Sequence, residues 1–136
     1  MRLAADANVL LSAVIGGRAR LILTSPEIDG ILTTEHTFAE VEEYSLVLAA
    51  KKRLAADVVR LAVAALPVQL VRRAEYAGSM GEARRRIGSR DQEDVELLAL
   101  ALHFGIAVWS NDRDFEAVRV ELFTTERLLR HLRIGT

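Results

Sequence analysis

The chain has 136 residues, a hydrophobic content of 51%, a formal net charge of −1 and no cysteine. This length is typical of one domain with a substantial core, so we expect residues 1–136 to form a single domain, and the lack of cysteine excludes disulfides and zinc–thiolate sites. No apolar run approaches the roughly 20 residues that span a bilayer, and no signal-peptide pattern opens the chain, so we expect a cytoplasmic protein without membrane contacts.

Short apolar runs alternate with segments of helical periodicity along the chain. The predicted strands cover residues 2–5, 30–33, 68–71, 106–110 and 120–124. The predicted helices cover residues 8–14, 18–23, a segment capped at Thr37, and residues 52–66, 74–86, 92–104 and 125–132. Strands that alternate with helices imply a parallel sheet covered by helices on both faces.

Three local signals set expectations for the predicted helices. Thr37 and Glu40 have the spacing of a capping box, as do Ser89 and Gln92. Helix 52–66 has an apolar stripe that is expected to face the core, formed by Leu54, Val58, Leu61 and Ala65. Helix 92–104 is apolar nearly all round and ends at a glycine, so we expect it to be buried at the centre of the fold or in the interface of a homodimer.

Acidic residues follow two predicted strands and open two predicted helices. Asp6 follows the first strand directly, and Asp112 follows the fourth by two residues. Glu40 and Asp94 lie near the starts of helices that begin at the same edge of a parallel sheet, so all four carboxylates can meet at one rim. Such a rim favours Mg²⁺ or Mn²⁺ and metal-dependent chemistry on phosphates. Asp91 shares a helix face with Asp94, which leaves the third ligand open between them.

These motifs, in this order, resemble the PIN domain family. The family opens with Asp-x-Asn-hydrophobic, which residues 6–10 match as Asp-Ala-Asn-Val-Leu. Its second acidic residue matches Glu40, and its third, before an alanine-rich helix, matches Asp94. Its last motif is Thr/Ser-x-Asp-x-Asp-Phe, seen at residues 110–115, where Ser110 stands in place of the threonine of many members.

The resemblance implies a fold and an activity. The implied fold is a three-layer α/β/α sandwich around a five-stranded parallel sheet in the order 3-2-1-4-5. The implied activity is a Mg²⁺- or Mn²⁺-dependent endoribonuclease in which metal-activated water hydrolyses RNA phosphodiester bonds and leaves 5′-phosphate and 3′-hydroxyl ends. Small members are often toxins of VapC-like toxin–antitoxin systems, so an antitoxin joins RNA among the expected partners.

The candidate site residues follow from the motifs and their surroundings. Predicted catalytic and metal-binding residues are Asp6, Glu40, Asp94 and Asp112, with Asp91 and Asp114 as further candidate ligands. Asn8 and Ser110 are expected to orient ligands or water. Candidates for contacts with the RNA backbone are Arg84, Arg85, Arg86 and Arg90, although a solvated helix face also explains this cluster.

Other interpretations of the acidic residues remain. Singly, each one is a plausible helix cap, turn residue or helix-dipole partner. Haloacid-dehalogenase-like phosphatases need a second Asp where Asn8 stands, and they share with receiver domains a late lysine, whereas the only lysines here are Lys51 and Lys52. Both are disfavoured. The alternative that stays open is a PIN-like RNA- or protein-binding module with weak or no catalysis.

Overall fold

A parallel sheet of five strands forms the centre of the protein. The computed structural model describes residues 1–88 and 91–134. The strands β1 to β5 are Arg2–Ala5, Gly30–Thr34, Val68–Val71, Ala107–Trp109 and Leu122–Phe123. All neighbours are parallel, in the order β3-β2-β1-β4-β5. The predicted fold class and strand order are therefore confirmed.

Helices cover both faces of the sheet. Those in the described residues, α1 to α8, are Ala7–Val14, Ala19–Leu23, Glu35–Lys51, Ala56–Ala64, Arg73–Tyr76, Met80–Ile87, Gln92–Phe104 and Thr125–His131. None of the helices within residues 1–88 and 91–134 is long and apolar enough to cross a membrane. Alternate residues of β1 point to opposite faces, so Leu3 and Ala5 pack in the core with α1, α3 and α8, whereas Ala4 packs in a second core with α6 and α7.

Helix α7 lies at the centre of the second core. Seven consecutive residues, Val95–Ala101, are buried, and the helix packs against α6 and three strands of the sheet. The one charged residue among them, Glu96, accepts a hydrogen bond from the hydroxyl of Tyr76 at 2.7 Å. The helix ends at Gly105, which adopts a left-handed conformation with φ +64°. Its predicted burial and its predicted end are confirmed.

The start of α3 differs from the prediction. Thr34 is the N-cap, and its hydroxyl oxygen accepts a hydrogen bond from the backbone N–H of Thr37 at 2.8 Å. The predicted capping box between Thr37 and Glu40 is therefore wrong. The physical reason is that β2 extends to Thr34, so the last residue of the strand already starts the helix. Glu40 consequently lies in the second turn of α3.

Helix α4 exposes the stripe that was expected to be buried. Leu54, which precedes α4, and Val58 and Leu61, which lie on it, are 43%, 64% and 71% exposed. Ala65, the C-cap, is exposed as well, whereas Val59 and Val63 are buried. Both sets have helical spacing, so periodicity alone does not choose between them. Packing against α3 selects the second set.

Candidate metal centre

The site lies where the strand order reverses. Strands β1 and β4 are neighbours although they are distant in sequence, and Ala5 pairs with Trp109. The backbone N–H of Asp6 donates to the carbonyl oxygen of Trp109 at 3.2 Å. This places Asp6 and the segment after β4 side by side beyond the carboxyl ends of the strands, where parallel sheets bind ligands.

Ser110 joins Asp6 to the segment that carries Asp112. Its hydroxyl donates a short hydrogen bond to one carboxylate oxygen of Asp6, and accepts one from the backbone N–H of Asp112 at 2.9 Å. The other carboxylate oxygen of Asp6 accepts from the backbone N–H of Val9 at 3.0 Å, as the N-cap of α1. Ser110 is fully buried and contacts Asp6 directly, as a residue that orients this carboxylate must.

A tight turn presents Asp112 and Asp114. Residues Arg113–Phe115 form one turn of 3₁₀-helix, and Asp112 is its N-cap, accepting from the backbone N–H of Asp114 at 2.9 Å. Phe115 is fully buried and anchors the turn in the core. Both carboxylates are therefore fixed close to the end of β4.

The remaining acidic residues come from α3 and α7. Asp91 is the N-cap of α7 and accepts from the backbone N–H of Glu93 at 2.9 Å; Ser89, the expected cap, lies outside the described residues. Asp94 lies in the first turn of the same helix. Because α7 begins at the edge of the sheet where β1 ends, Asp94 meets the carboxylates of the strand ends.

These residues line one cleft of about 440 Å³, called the acidic cleft below. Its lining residues are Asp6, Ala7, Asn8, Thr37, Glu40, Asp91, Glu93, Asp94, Leu97 and Asp112. One carboxylate oxygen each from Asp94, Asp112 and Asp114 lies within 4.8 Å of the other two. An all-oxygen donor set at this spacing fits a hard divalent cation. The structure thus brings together every acidic residue that the sequence nominated.

Two polar lining residues, Thr37 and Glu93, were not among the predicted site residues, and neither were the apolar lining residues Ala7 and Leu97. Glu93 stands between Asp91 and Asp94 in the same acidic run, which was the available signal for it. Thr37 was interpreted as a helix cap, but it lies in the first turn of α3 and lines the acidic cleft. The sequence carries no signal that distinguishes a threonine that caps α3 from one that lies inside the helix.

Burial, together with repulsion between neighbouring carboxylates, raises the pKa values of three acidic residues of the site. Burial raises the pKa of Asp6, although the Ser110 hydroxyl opposes the shift. Burial, followed by repulsion from Asp91, raises the pKa of Glu40. Burial, followed by repulsion from Asp91 and Asp112, raises the pKa of Asp94 to about 7. A bound cation reverses these effects because it favours the ionised carboxylates.

The arginine cluster has other partners. Arg85 and Arg86 both form ion pairs with Glu82, the Arg86 Nε at 3.1 Å. Arg86 also donates to the carbonyl oxygen of Arg119 at 3.0 Å. Arg84 is exposed at the end of α6, and Arg90 lies outside the described residues. None of Arg84, Arg85 and Arg86 is among the residues that line the acidic cleft in the described part of the chain.

Comparisons with known proteins agree with this architecture. A family model described as PIN domain matches residues 5–133, and a comparison with curated proteins finds no match. A VapBC2 complex from Rickettsia felis, bound to a promoter DNA fragment, superposes with a TM-score of 0.67 at 16% identity over 91% of this chain and 98% of that chain. A toxin–antitoxin complex from Klebsiella pneumoniae gives 0.65 at 18% identity over 92% and 98%. FitAcB from Neisseria gonorrhoeae gives 0.59 at 17% identity over 93% and 99%.

Proposed function

The chain belongs to the PIN domain family, and we propose that it is a Mg²⁺- or Mn²⁺-dependent endoribonuclease that acts as the toxin of a toxin–antitoxin pair. The observation that carries the proposal is the convergence of Asp94, Asp112 and Asp114, whose carboxylate oxygens approach one another within 4.8 Å. Asp112 and Asp114 share the turn after β4, whereas Asp94 comes from the start of α7, so only the fold brings Asp94 to the other two.

The residues have distinct proposed roles. Asp6, Glu40, Asp94 and Asp112 hold the cation, and Asp91 and Asp114 are further candidate ligands. When bound, Mg²⁺ or Mn²⁺ supplies an activated water and stabilises negative charge on the phosphodiester. Ser110 keeps the Asp6 carboxylate in a single orientation through its hydrogen bond, and Asn8, at the mouth of the acidic cleft, orients a ligand or a water.

Cleavage and metal binding test this proposal together. We expect the protein to cleave single-stranded RNA with Mn²⁺ or Mg²⁺ and to stop when EDTA is added. Titration calorimetry should show Mn²⁺ binding to the wild type and much weaker binding to Asp112→Asn. RNA binding without cleavage at any metal concentration would favour the alternative, a binding module with weak or no catalysis.

The proposed toxin role rests on the structural neighbours, one of which is a toxin–antitoxin complex from Klebsiella pneumoniae. The exposed apolar side chains of Leu54, Val58 and Leu61 support a protein partner, since monomeric proteins seldom expose such clusters. Expression of the protein alone in a bacterial cytoplasm should arrest growth, and Asp112→Asn should not. Co-expression with a small DNA-binding protein from a neighbouring gene should restore growth. A homodimer is expected, and light scattering should report the mass of two chains.

A further inference from the structure

A second groove, the Tyr44 groove, adjoins the acidic cleft. It is an open groove with about 580 Å³ of space continuous with solvent, and it is lined by His36, Ala39, Glu40, Glu43, Tyr44 and Glu93. Five of these residues lie on α3 at helical spacing, so they share one face of the helix. Glu40 and Glu93 line both the groove and the acidic cleft. A chain that crosses the acidic cleft can therefore place its next unit in the Tyr44 groove.

The groove is poorly suited to phosphate. Glu40, Glu43 and Glu93 are acidic, and ionised carboxylates only accept hydrogen bonds. Among the described residues that line the groove, His36 is the one group able to carry a positive charge. A negatively charged backbone would be repelled here, whereas a neutral group with hydrogen-bond donors would be accommodated.

Tyr44 provides a surface for a flat apolar group. Its side chain is 47% exposed, although aromatic side chains are usually buried in a core. Unpaired nucleobases bind proteins by stacking on exposed aromatic rings and by hydrogen bonds along their Watson–Crick edges. The groove combines a ring for stacking with carboxylates that accept from the edge of a base.

We propose that the Tyr44 groove binds one unpaired nucleobase of the RNA, adjacent to the scissile phosphate, and that Glu43 selects the base. This inference rests on the proposed ribonuclease function. A carboxylate can accept two parallel hydrogen bonds from guanine, which carries adjacent N1–H and amino donors. Adenine and cytosine offer an amino group alone, and uracil offers a single ring N–H that is flanked by two carbonyl oxygens, which repel a carboxylate. The expected preference is therefore guanine first and uracil last.

The experiment uses short single-stranded RNAs that differ only in the base next to the cleaved bond. For Tyr44→Ala we expect KM to rise about tenfold, the effect of losing one stacked base, with kcat within about twofold of wild type. Tyr44→Phe should behave as the wild type because it keeps the ring. Val47→Ala is the matched control, since Val47 is 46% exposed on the same helix but does not line the groove.

The second variant pair tests base selection. Glu43→Gln should reduce the ratio of kcat/KM for guanine over uracil to about one. Glu42→Gln removes the same charge from the neighbouring residue, which lines a different groove with Phe38, and should keep the preference. Fluorescence anisotropy of labelled RNA on Asp112→Asn should show the same Tyr44 dependence without cleavage, because binding does not require turnover.

The outcomes separate this inference from the proposed function. If wild type cleaves RNA but Tyr44→Ala leaves KM and RNA affinity unchanged, the groove is not a base site and the nuclease proposal stands. If Tyr44→Ala alters the oligomeric state and leaves base preference unchanged, the face is a contact between copies and the inference is overturned. If the wild type cleaves no RNA and binds none, both proposals fail.

Discussion

The two sides of the acidic cleft are held in place by different means. On the strand side, formed by Asp6, Ser110 and Asp112, the Ser110 hydroxyl donates to the Asp6 carboxylate across 104 residues of sequence and accepts from the backbone N–H of Asp112. On the helix side, formed by Glu40, Asp91 and Asp94, each carboxylate is placed by the helix that carries it, and burial, followed by repulsion from Asp91, raises the pKa values of Glu40 and Asp94.

Because of this difference, we expect the two sides to contribute differently to catalysis and to stability. The strand side is organised by hydrogen bonds before any cation binds, so it sets the geometry of the site. The pKa of Asp6 is raised as well, but hydrogen bonds from Ser110 and Val9 oppose that shift, so we expect the helix side to link metal binding to stability more strongly. Substitutions on the strand side should therefore reduce catalysis more than stability, and those on the helix side should change both.

The largest effect is expected on the strand side. Asp6→Asn and Asp112→Asn each keep the size of the side chain but remove a charged ligand, so we expect Mn²⁺-dependent cleavage to fall by at least about a hundredfold. Asn can still act as an N-cap, so circular dichroism should show an intact fold. A variant that cleaves RNA at the wild-type rate would remove that residue from the set of primary ligands.

On the helix side, Asp94 and Asp91 should contribute unequally to metal affinity. Asp94→Asn should weaken Mn²⁺ affinity about ten- to a hundredfold, since the structure groups this carboxylate with those of Asp112 and Asp114. Asp91→Asn should weaken Mn²⁺ affinity by less than about tenfold. The Asp91 carboxylate already accepts a hydrogen bond as the helix cap, and Asn can also act as an N-cap. Calorimetry on both variants decides the third ligand, and a greater loss with Asp91→Asn would reverse the assignment.

Removal of the Ser110 hydroxyl tests whether the strand side is preorganised. Ser110→Ala should lower kcat about tenfold, because Asp6 and the Asp112 backbone lose their shared partner. Ser45→Ala is the control: Ser45 is also buried, but its hydroxyl donates to the carbonyl oxygen of Glu42 on α3. Equal kinetics for the two variants would show that the hydrogen bond has no role in orienting Asp6.

A smaller effect is expected on stability, and it concerns the helix side. The pKa of Asp94 is raised from 3.8 to about 7, so the native state binds protons more tightly than the unfolded state. Without metal, the free energy of unfolding should therefore fall as pH rises from about 4 to about 7. Thermal melts should show a decline of a few degrees over this range. The decline in Tm should be smaller in Asp94→Asn and should remain in Glu42→Gln. Mn²⁺ should offset this decline. A wild-type Tm that is constant over this range would contradict the repulsion argument.

The smallest effect is expected on RNA affinity, and it concerns Arg84. Arg84 lies on α6, which packs against α7, and it is the arginine of the cluster that we expect to contact the RNA backbone. Arg84→Ala should weaken RNA affinity a few-fold and reduce the salt slope by about 0.7 at most. Arg85→Ala, which breaks an ion pair with Glu82, is the matched control. Identical salt slopes for wild type and Arg84→Ala would place the RNA path elsewhere.

Much of the fold could be predicted from local signals. Alternation of short apolar runs with helical segments indicated five parallel strands, and the bounds of β1 and β3 agree with the structure at both ends. Gly105 marked the end of α7 because a left-handed residue is needed there. Such features depend on neighbouring residues only, so they can be identified along the chain. The strand order itself came from the resemblance to the PIN domain family.

Features that depend on competition between elements could not be predicted. Two apolar pairs on α4 both have helical spacing, and packing against α3 selects Val59 and Val63 while it leaves Val58 and Leu61 exposed. Thr34 and Thr37 are both suitable caps, and the length of β2 decides between them. In each case local energies are similar, and long-range contacts determine the outcome.

The sequence by itself determined which residues could form the site, because strand ends and helix starts are local properties and every strand of a parallel sheet ends at the same edge. Only the tertiary structure decided how they meet. The hydrogen bond from Ser110 to Asp6 exists because β1 and β4 are neighbours. The approach of Asp94 to Asp112 and Asp114 depends on how α7 packs against the sheet. Distances between residues far apart in sequence depend on packing of the whole core, which no local pattern records.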